Sequence, residues 1–446
     1  MVTRQWTARW RGWMLFGAVA LACLVLIGPA QPAEAQGQGE EGVWITVGAD
    51  AFRTLRGEES IRFRGQALVP VAQAEGVVLT QVDGEDLRAI SETIHHAHRR
   101  CGGFMAHESL AEAQEQMARV ARGMGAVEGA PTYLIDQPAL VGSLSPQLSE
   151  SHILGTIQSL SQDFNNRYYR HPSGVAGAEW IRDLWTGYAS GTLGVTVELV
   201  SHSFAQPSVV LTIPGSTLAD EVVVLGGHLD SIAGGSSDPD FVAPGADDNA
   251  SGIAVISEVA RVLLANGFKP QRTVKLMGYA AEEVGLRGSQ DIAEAHATGG
   301  IDVVSVLQLD MTGFQGSTED MSLIDDFTNG PLTTYLGQLI TTYLTDLTFS
   351  TSSCGYACSD HGAWHFEGYP AAFVFEARFG QHNPEIHRTS DTLAPLGNSA
   401  AHALKFARLA LAYVVETSVD GSELAPIFID GFESGTTGDW TQTFTE

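Results

Sequence analysis

Four apolar runs in this chain each deliver, at their carboxyl end, side chains that bind metals or move protons. EVVVLGG (221–227) leads into His228-Leu-Asp230, TVKLMGYA (273–280) into Ala-Glu282-Glu283, VVSVLQL (303–309) into Asp310, and PAAFVFEA (370–377) into a segment, NPEIHRTSDT, that carries His387. Asp247-Asp248 stands just before a helical pattern. Two histidines among several carboxylates are hard N/O donors of the kind that suit Zn²⁺ or Mn²⁺, and there are more carboxylates than one zinc takes, which points to two ions sharing a bridging ligand. Without cations such a cluster would repel itself severely. Each piece alone is weak, since a His-x-Asp after a strand is usually polar surface and Glu-Glu usually a solvated helix start. Their recurrence at successive strand ends is harder to dismiss.

The elements that position these residues are legible from periodicity. The four runs are nearly continuous apolar strands, as in a parallel sheet buried on both faces. Between them lie helical patterns at 249–266, starting at Asn249, and at 331–346 and 398–416. Residues from about 131 to 417 are therefore expected to form an α/β sandwich, with ligands gathered at the carboxyl ends of the strands. Residues 36 to about 130 are richer in charge: VWITVGADAFRTL starts as a strand and EDLRAISETIHHAHRR reads as an amphipathic helix. A Gly-rich stretch, GMGAVEGAP, reads as a linker, and 418–446 as a polar tail of unassigned role.

Composition is that of a globular protein, 44% hydrophobic and 17% charged. The chain opens with Arg4, Arg9 and Arg11, an apolar run from Trp13 to Ile27 and Ala-Glu-Ala before Gln36, the pattern of a secretory signal peptide cleaved after Ala35. The rival, a membrane anchor, needs an apolar run of roughly 20 residues. Cleavage takes the net charge from 24 − 52 = −28 to 21 − 51 = −30. Such a charge repels nucleic acid and anionic lipid and attracts divalent cations, so neither a nucleic-acid partner nor a stable membrane anchor is expected.

The segments GGHLDS, APGADDNASGIA, YAAEEVGLRGSQD, LQLDMT, CGYACSDHGAWH, GYPAAF and NPEIHRTSDTLA together resemble secreted bacterial zinc aminopeptidases of peptidase family M28, the leucyl aminopeptidases of Vibrio and Aeromonas in particular. The likeness covers about residues 133 to 417. It implies a mixed, mainly parallel central sheet flanked by helices, of the zinc exopeptidase (phosphorylase/hydrolase-like) type, preceded by a small α+β prosegment at 36–130 that assists folding and inhibits. It implies a monomer acting on the N-termini of peptides or proteins, with a preference for apolar, leucine-like first residues. Two Zn²⁺ would be bridged by Asp247, with His228 and Asp310 completing one ion and Glu283 and His387 the other. Glu282 would be the general base toward a metal-bound water, Asp230 would orient His228, and a cis peptide would join Asp247 to Asp248. Met311, Ile324, Phe373, Phe375, Phe379 and Ile386 would line the substrate pocket, where His382 replaces an aromatic residue of the family.

CGYACSDH (354–361) admits a metal site, a redox pair, a Ser359/Asp360/His361 triad or a structural clip. Neighbours in sequence rarely converge as a triad, and a redox pair more often has two intervening residues. The family resemblance implies a Cys354–Cys358 disulfide that forms one pocket wall and holds Tyr356 over the metals, its phenol facing the developing oxyanion. In IHHAHRRCGGFMAH, the residues His95, His96, His98, Cys101 and His107 have two readings. One is a solvated helix face in the prosegment; the other has Cys101 ligating a zinc in the precursor as a thiolate.

Overall fold

The computed structural model describes residues 42–100, 102–122, 133–234 and 240–419. The expected leader, the Gly-rich linker, Cys101 and all but the first two residues of the tail lie outside them.

The N-terminal part builds a four-stranded antiparallel sheet from β1 (Val43–Gly48), β2 (Ala72–Ala74), β3 (Val77–Val82) and β4 (Phe104–His107), in the order β2-β3-β1-β4. Strand alternation sends its side chains to two different cores. Ile45, Val47, Val78 and Val82 pack with Leu55, Ile90 and Ile94 of helices Ala49–Gly57 and Leu87–His98. Val77, Leu79 and Met105 face the other way, onto Met117 and Val120 of helix Leu110–Ala121 and onto Leu286, Tyr356 and Phe366 from later in the chain. That helix starts on a capping box: Ser109 Oγ accepts from Glu112 N at 3.2 Å and donates to Glu112 Oε1 at 2.8 Å.

The remainder is an eight-stranded sheet flanked by helices, built from β5 (Thr196–Val200), β6 (Ser208–Ile213), β7 (Leu218–His228), β8 (Arg272–Tyr279), β9 (Asp302–Leu309), β10 (Met321–Ile324), β11 (Phe349–Ser352) and β12 (Ala371–Phe375). Their order is β11-β10-β12-β9-β7-β8-β6-β5. The four central strands β12, β9, β7 and β8 run parallel, while β10 on one side and β6 and β5 on the other pair antiparallel to their inner neighbours. The apolar runs are explained by two-sided burial: Val223 and Leu225 of β7 enter the core beneath helix Ala250–Ala265, and Val222 and Val224 enter the core around Trp364 on the opposite face. Helix Ala250–Ala265 is buried almost throughout, packed on the sheet and against helix Ala401–Ser418, which also meets the sheet. The helix expected from 398 begins three residues later, past Asn398 with its positive φ of 53°. No helix among the described residues is long and apolar enough to cross a membrane.

Candidate active site

β7 ends on His228 and β9 leads directly into Asp310, and both side chains are fully buried. His228 Nε2 lies 3.2 Å from Asp310 Oδ1 and 3.0 Å from Asp248 Oδ1. The second oxygen of Asp248 lies 3.4 Å from His387 Nε2, which is itself 2.9 Å from Glu283 Oε2. One carboxylate thus spans two imidazoles, each of which also meets a second carboxylate. Donor atoms of His228, Asp248 and Glu283 all fall within 4.8 Å of one another.

The polar atoms here are not spent on ordinary hydrogen bonds. Both oxygens of Asp248, Glu282 and Glu283, and Oδ2 of Asp310, are buried without a donor. Buried carboxylate oxygens are rarely left in that state, because each carries a desolvation cost. Burial pushes Glu283 up to about 8, and Asp248 adds to the rise against the pull of His387. Burial also drives Glu282 well above the usual carboxylate range, with Glu283, Asp360 and Asp310 adding to it against His228. Asp248 goes the other way: burial would raise it, but His228 and His387 hold it well below. For His387 burial would lower the pKa, and Glu283 and Asp248 instead lift it to about 10. A buried His/carboxylate cluster with converging, unsatisfied oxygens fits divalent cations, which would satisfy the lone pairs and let all the carboxylates ionise.

The place beside both histidines, expected of Asp247, is taken by Asp248. Asp247 faces away from the histidines: its Oδ1 accepts from Gly313 N at 2.9 Å and its Oδ2 from Asn383 Nδ2 at 3.0 Å, with Glu376 beside it. The cis peptide is Asp248–Asn249 rather than Asp247–Asp248. The physical reason is the helix start. Asn249 is the N-cap, its Oδ1 accepting from Gly252 N and Met311 N and its Nδ2 donating to Leu309 O. With Asn249 anchored there, the residue before it faces the cluster and the one before that turns to Gly313 and Asn383. Asp391 holds this turn by accepting from the backbone N–H of Asp247 at 3.0 Å and of Asp248 at 3.1 Å.

Asp230 does two jobs. Its Oδ1 lies 3.4 Å from His228 Nδ1, and its two oxygens accept from Glu282 N and Glu283 N at 3.0 and 3.1 Å, which fixes the turn that presents both glutamates. Beneath it lies Arg167, which is fully buried and which sequence reasoning missed. Its guanidinium donates to the carbonyls of Leu229, Leu160, Pro244 and Gly245, tying the loop before Asp248 to the end of β7. Nothing around Arg167 in the sequence marks it. Asp391 and Asn383 lie within the quoted NPEIHRTSDT segment, but no periodicity distinguishes them from loop polarity.

Met311, Ile324, Phe373, Phe375 and Ile386 form one buried apolar cluster with Phe379 against it, walled by the Cys354–Cys358 disulfide. The Tyr356 phenol, expected to face the metals, is engaged elsewhere. Its hydroxyl donates to Thr46 Oγ1 at 2.8 Å and accepts from Gln116 Nε2 at 3.4 Å, both in the N-terminal part, and its ring packs on Phe327 and Phe366. Ser359, Asp360 and His361 make no triad: Asp360 accepts from Gln308 Nε2, and the His361 ring stacks on Phe373. Of the N-terminal histidines, His95 packs its ring 4.5 Å from that of His387, His98 pairs with Thr54, and His107 with Thr46. His96 only tilts against His95.

Residues 208–413 match the model of peptidase family M28. A probable leucine aminopeptidase of Arthroderma otae is 39% identical over 286 residues, 63% of this chain and 77% of that protein. Among solved structures, the LapA aminopeptidase of Legionella pneumophila superposes with a TM-score of 0.72 at 26% identity, covering 85% of this chain and 99% of its own. LapB of the same organism gives 0.71 at 27%, covering 85% and 100%.

Proposed function

The chain belongs to peptidase family M28 and is a metallo-aminopeptidase, and from that premise we propose an extracellular enzyme that uses two zinc ions to remove apolar, leucine-like residues from peptide N-termini. The observation that carries this is the Asp248 carboxylate, whose two oxygens lie beside His228 and His387. In the proposal Asp248 is shared, His228 and Asp310 complete one ion and Glu283 and His387 the other. When bound, such a pair polarises the scissile carbonyl, acidifies the attacking water and anchors the free α-amine.

The chain's own groups supply the rest. Glu282 sits beside the cluster with both oxygens buried and unshared, so it is free to take a proton at the carboxylate and return it to the leaving amine. Asp230 keeps Glu282 and His228 in place through the contacts already described. The apolar cluster from Met311 to Ile386 would receive an apolar first side chain, and its wall is braced by the disulfide.

Residues 36–130 are proposed to act as an inhibitory prosegment. Gly103 N donates to Ala357 O at 2.7 Å, and Arg100 Nε to Cys354 O at 2.8 Å. A side chain at Gly102 would begin 2.7 Å from Ala357 O and 3.2 Å from Glu282 Oε1, so the chain before β4 passes Glu282 at glycine distance. The test compares leucine p-nitroanilide with an N-acetylated peptide, before and after limited proteolysis and with and without a zinc chelator. Cleavage of the free-amine substrate alone, increased by proteolysis and abolished by the chelator, is expected. Activity that survives chelation contradicts the proposal.

A further inference from the structure

His382 stands among apolar rings, 5.3 Å from that of Phe375 and 5.5 Å from that of Phe379, and is only 3% exposed. Gly380 N donates to its Nδ1 at 3.3 Å, which makes Nδ1 the acceptor and leaves the proton of the neutral ring on Nε2. Burial keeps the ring neutral, its pKa pushed down to about 4. Nε2 has no hydrogen-bond partner. A buried N–H donor without an acceptor is costly unless something supplies one. His95 of the N-terminal segment lies beside it, ring to ring at 6.3 Å, and the charge of Arg99 from the same segment also reaches it. Release of that segment, as proposed above, would uncover the ring on this side.

We propose that His382 is a specificity-determining residue whose Nε2–H donates to the side-chain carbonyl of an asparagine or glutamine first residue, so that the pocket takes these beside the leucine-like ones. This rests on the aminopeptidase function proposed above. An all-apolar pocket discriminates against an amide because its carbonyl would be buried unpaired, and one correctly placed donor removes part of that penalty. Asparagine is close to leucine in shape, so the two differ mainly in that hydrogen bond.

The full-length chain, activated by limited proteolysis, is assayed with leucine and asparagine p-nitroanilides as wild type, His382→Phe and His382→Gln. The asparagine-to-leucine ratio of kcat/KM is expected to fall about three- to tenfold in His382→Phe, the effect of one hydrogen bond. It is expected to recover in His382→Gln, whose amide N–H stands where Nε2–H was. Leucine turnover in both variants reports that they are folded. A ratio unchanged in both, with leucine cleaved normally, overturns the role of His382 and leaves the aminopeptidase intact. A wild type that cleaves neither substrate overturns the aminopeptidase function and this inference with it.

Discussion

Tyr356 Oη donates to Thr46 Oγ1 at 2.8 Å across 310 residues of chain. The disulfide loop that walls the pocket is thereby gripped by the first strand of the N-terminal sheet. The grip is shared by Arg100, which bonds Cys354 O while its guanidinium pairs with Asp50. Asp50 is held down to about 2 chiefly by the hydrogen bond from Arg100.

Replacing Thr46 with Val removes the acceptor of a buried phenol, which costs the closed arrangement about 1 kcal/mol. Turnover of leucine p-nitroanilide by the uncleaved chain should rise roughly fivefold, with little change once the N-terminal segment has been removed. Tyr356→Phe separates two roles. If the freed phenol faces the reacting carbonyl, kcat of the activated enzyme falls more than KM rises; an unchanged kcat confines Tyr356 to the latch.

Acid should loosen the same contact through His107, which pairs with Thr46 at 2.9 Å. Burial pushes its pKa down to about 3, and Arg119 adds to the shift. An unfolded histidine titrates near 6.5, so between those values the unfolded segment binds a proton that the folded one refuses. This contribution to stability is complete above about pH 6.5 and is lost progressively as pH falls toward 3. Arg119, Arg287, Glu108, Glu112, Glu115, Asp291, Glu294 and Glu367 line the adjoining cavity, so pH 5 to 7.5 is the window in which the histidine dominates over ordinary carboxylates. Proteolytic removal of residues 36–130 should be faster at pH 5 than at pH 7.5, and His107→Gln should lessen the difference, with His95, which burial also pushes down, carrying part of the rest.

Arg167→Met leaves four backbone carbonyls without their donor in a dry interior. A loss of about 3–5 kcal/mol is expected, seen as a fall in the thermal midpoint of the metal-loaded protein. A shift within experimental error would mean that the loop before Asp248 holds itself.

Much of this site was legible in the sequence because strands buried on both faces must end somewhere, and His228, Glu282, Glu283 and Asp310 are the first polar side chains beyond those ends. His387 needed the resemblance as well as the pattern, since it lies several residues past β12. The choice between Asp247 and Asp248 was not legible: both precede the same helix, and which one faces the cluster depends on Asn249 bonding to Leu309 and Met311 from another strand end. The partner of the Tyr356 phenol was illegible for the same reason over a longer span, because it lies on β1 of a different sheet. Arg167 carries no pattern at all; only the four carbonyls it meets in three dimensions define it.

The central claim is that Asp248, and not its neighbour, holds the metal. Zinc content per chain, measured on purified Asp248→Asn and Asp247→Asn beside wild type, tests it directly. Asp248→Asn should lose bound zinc and nearly all leucine p-nitroanilide hydrolysis, whereas Asp247→Asn should keep its zinc and lose about 10- to 100-fold in activity, as for a supporting residue. Zinc lost from Asp247→Asn and retained by Asp248→Asn would contradict the account.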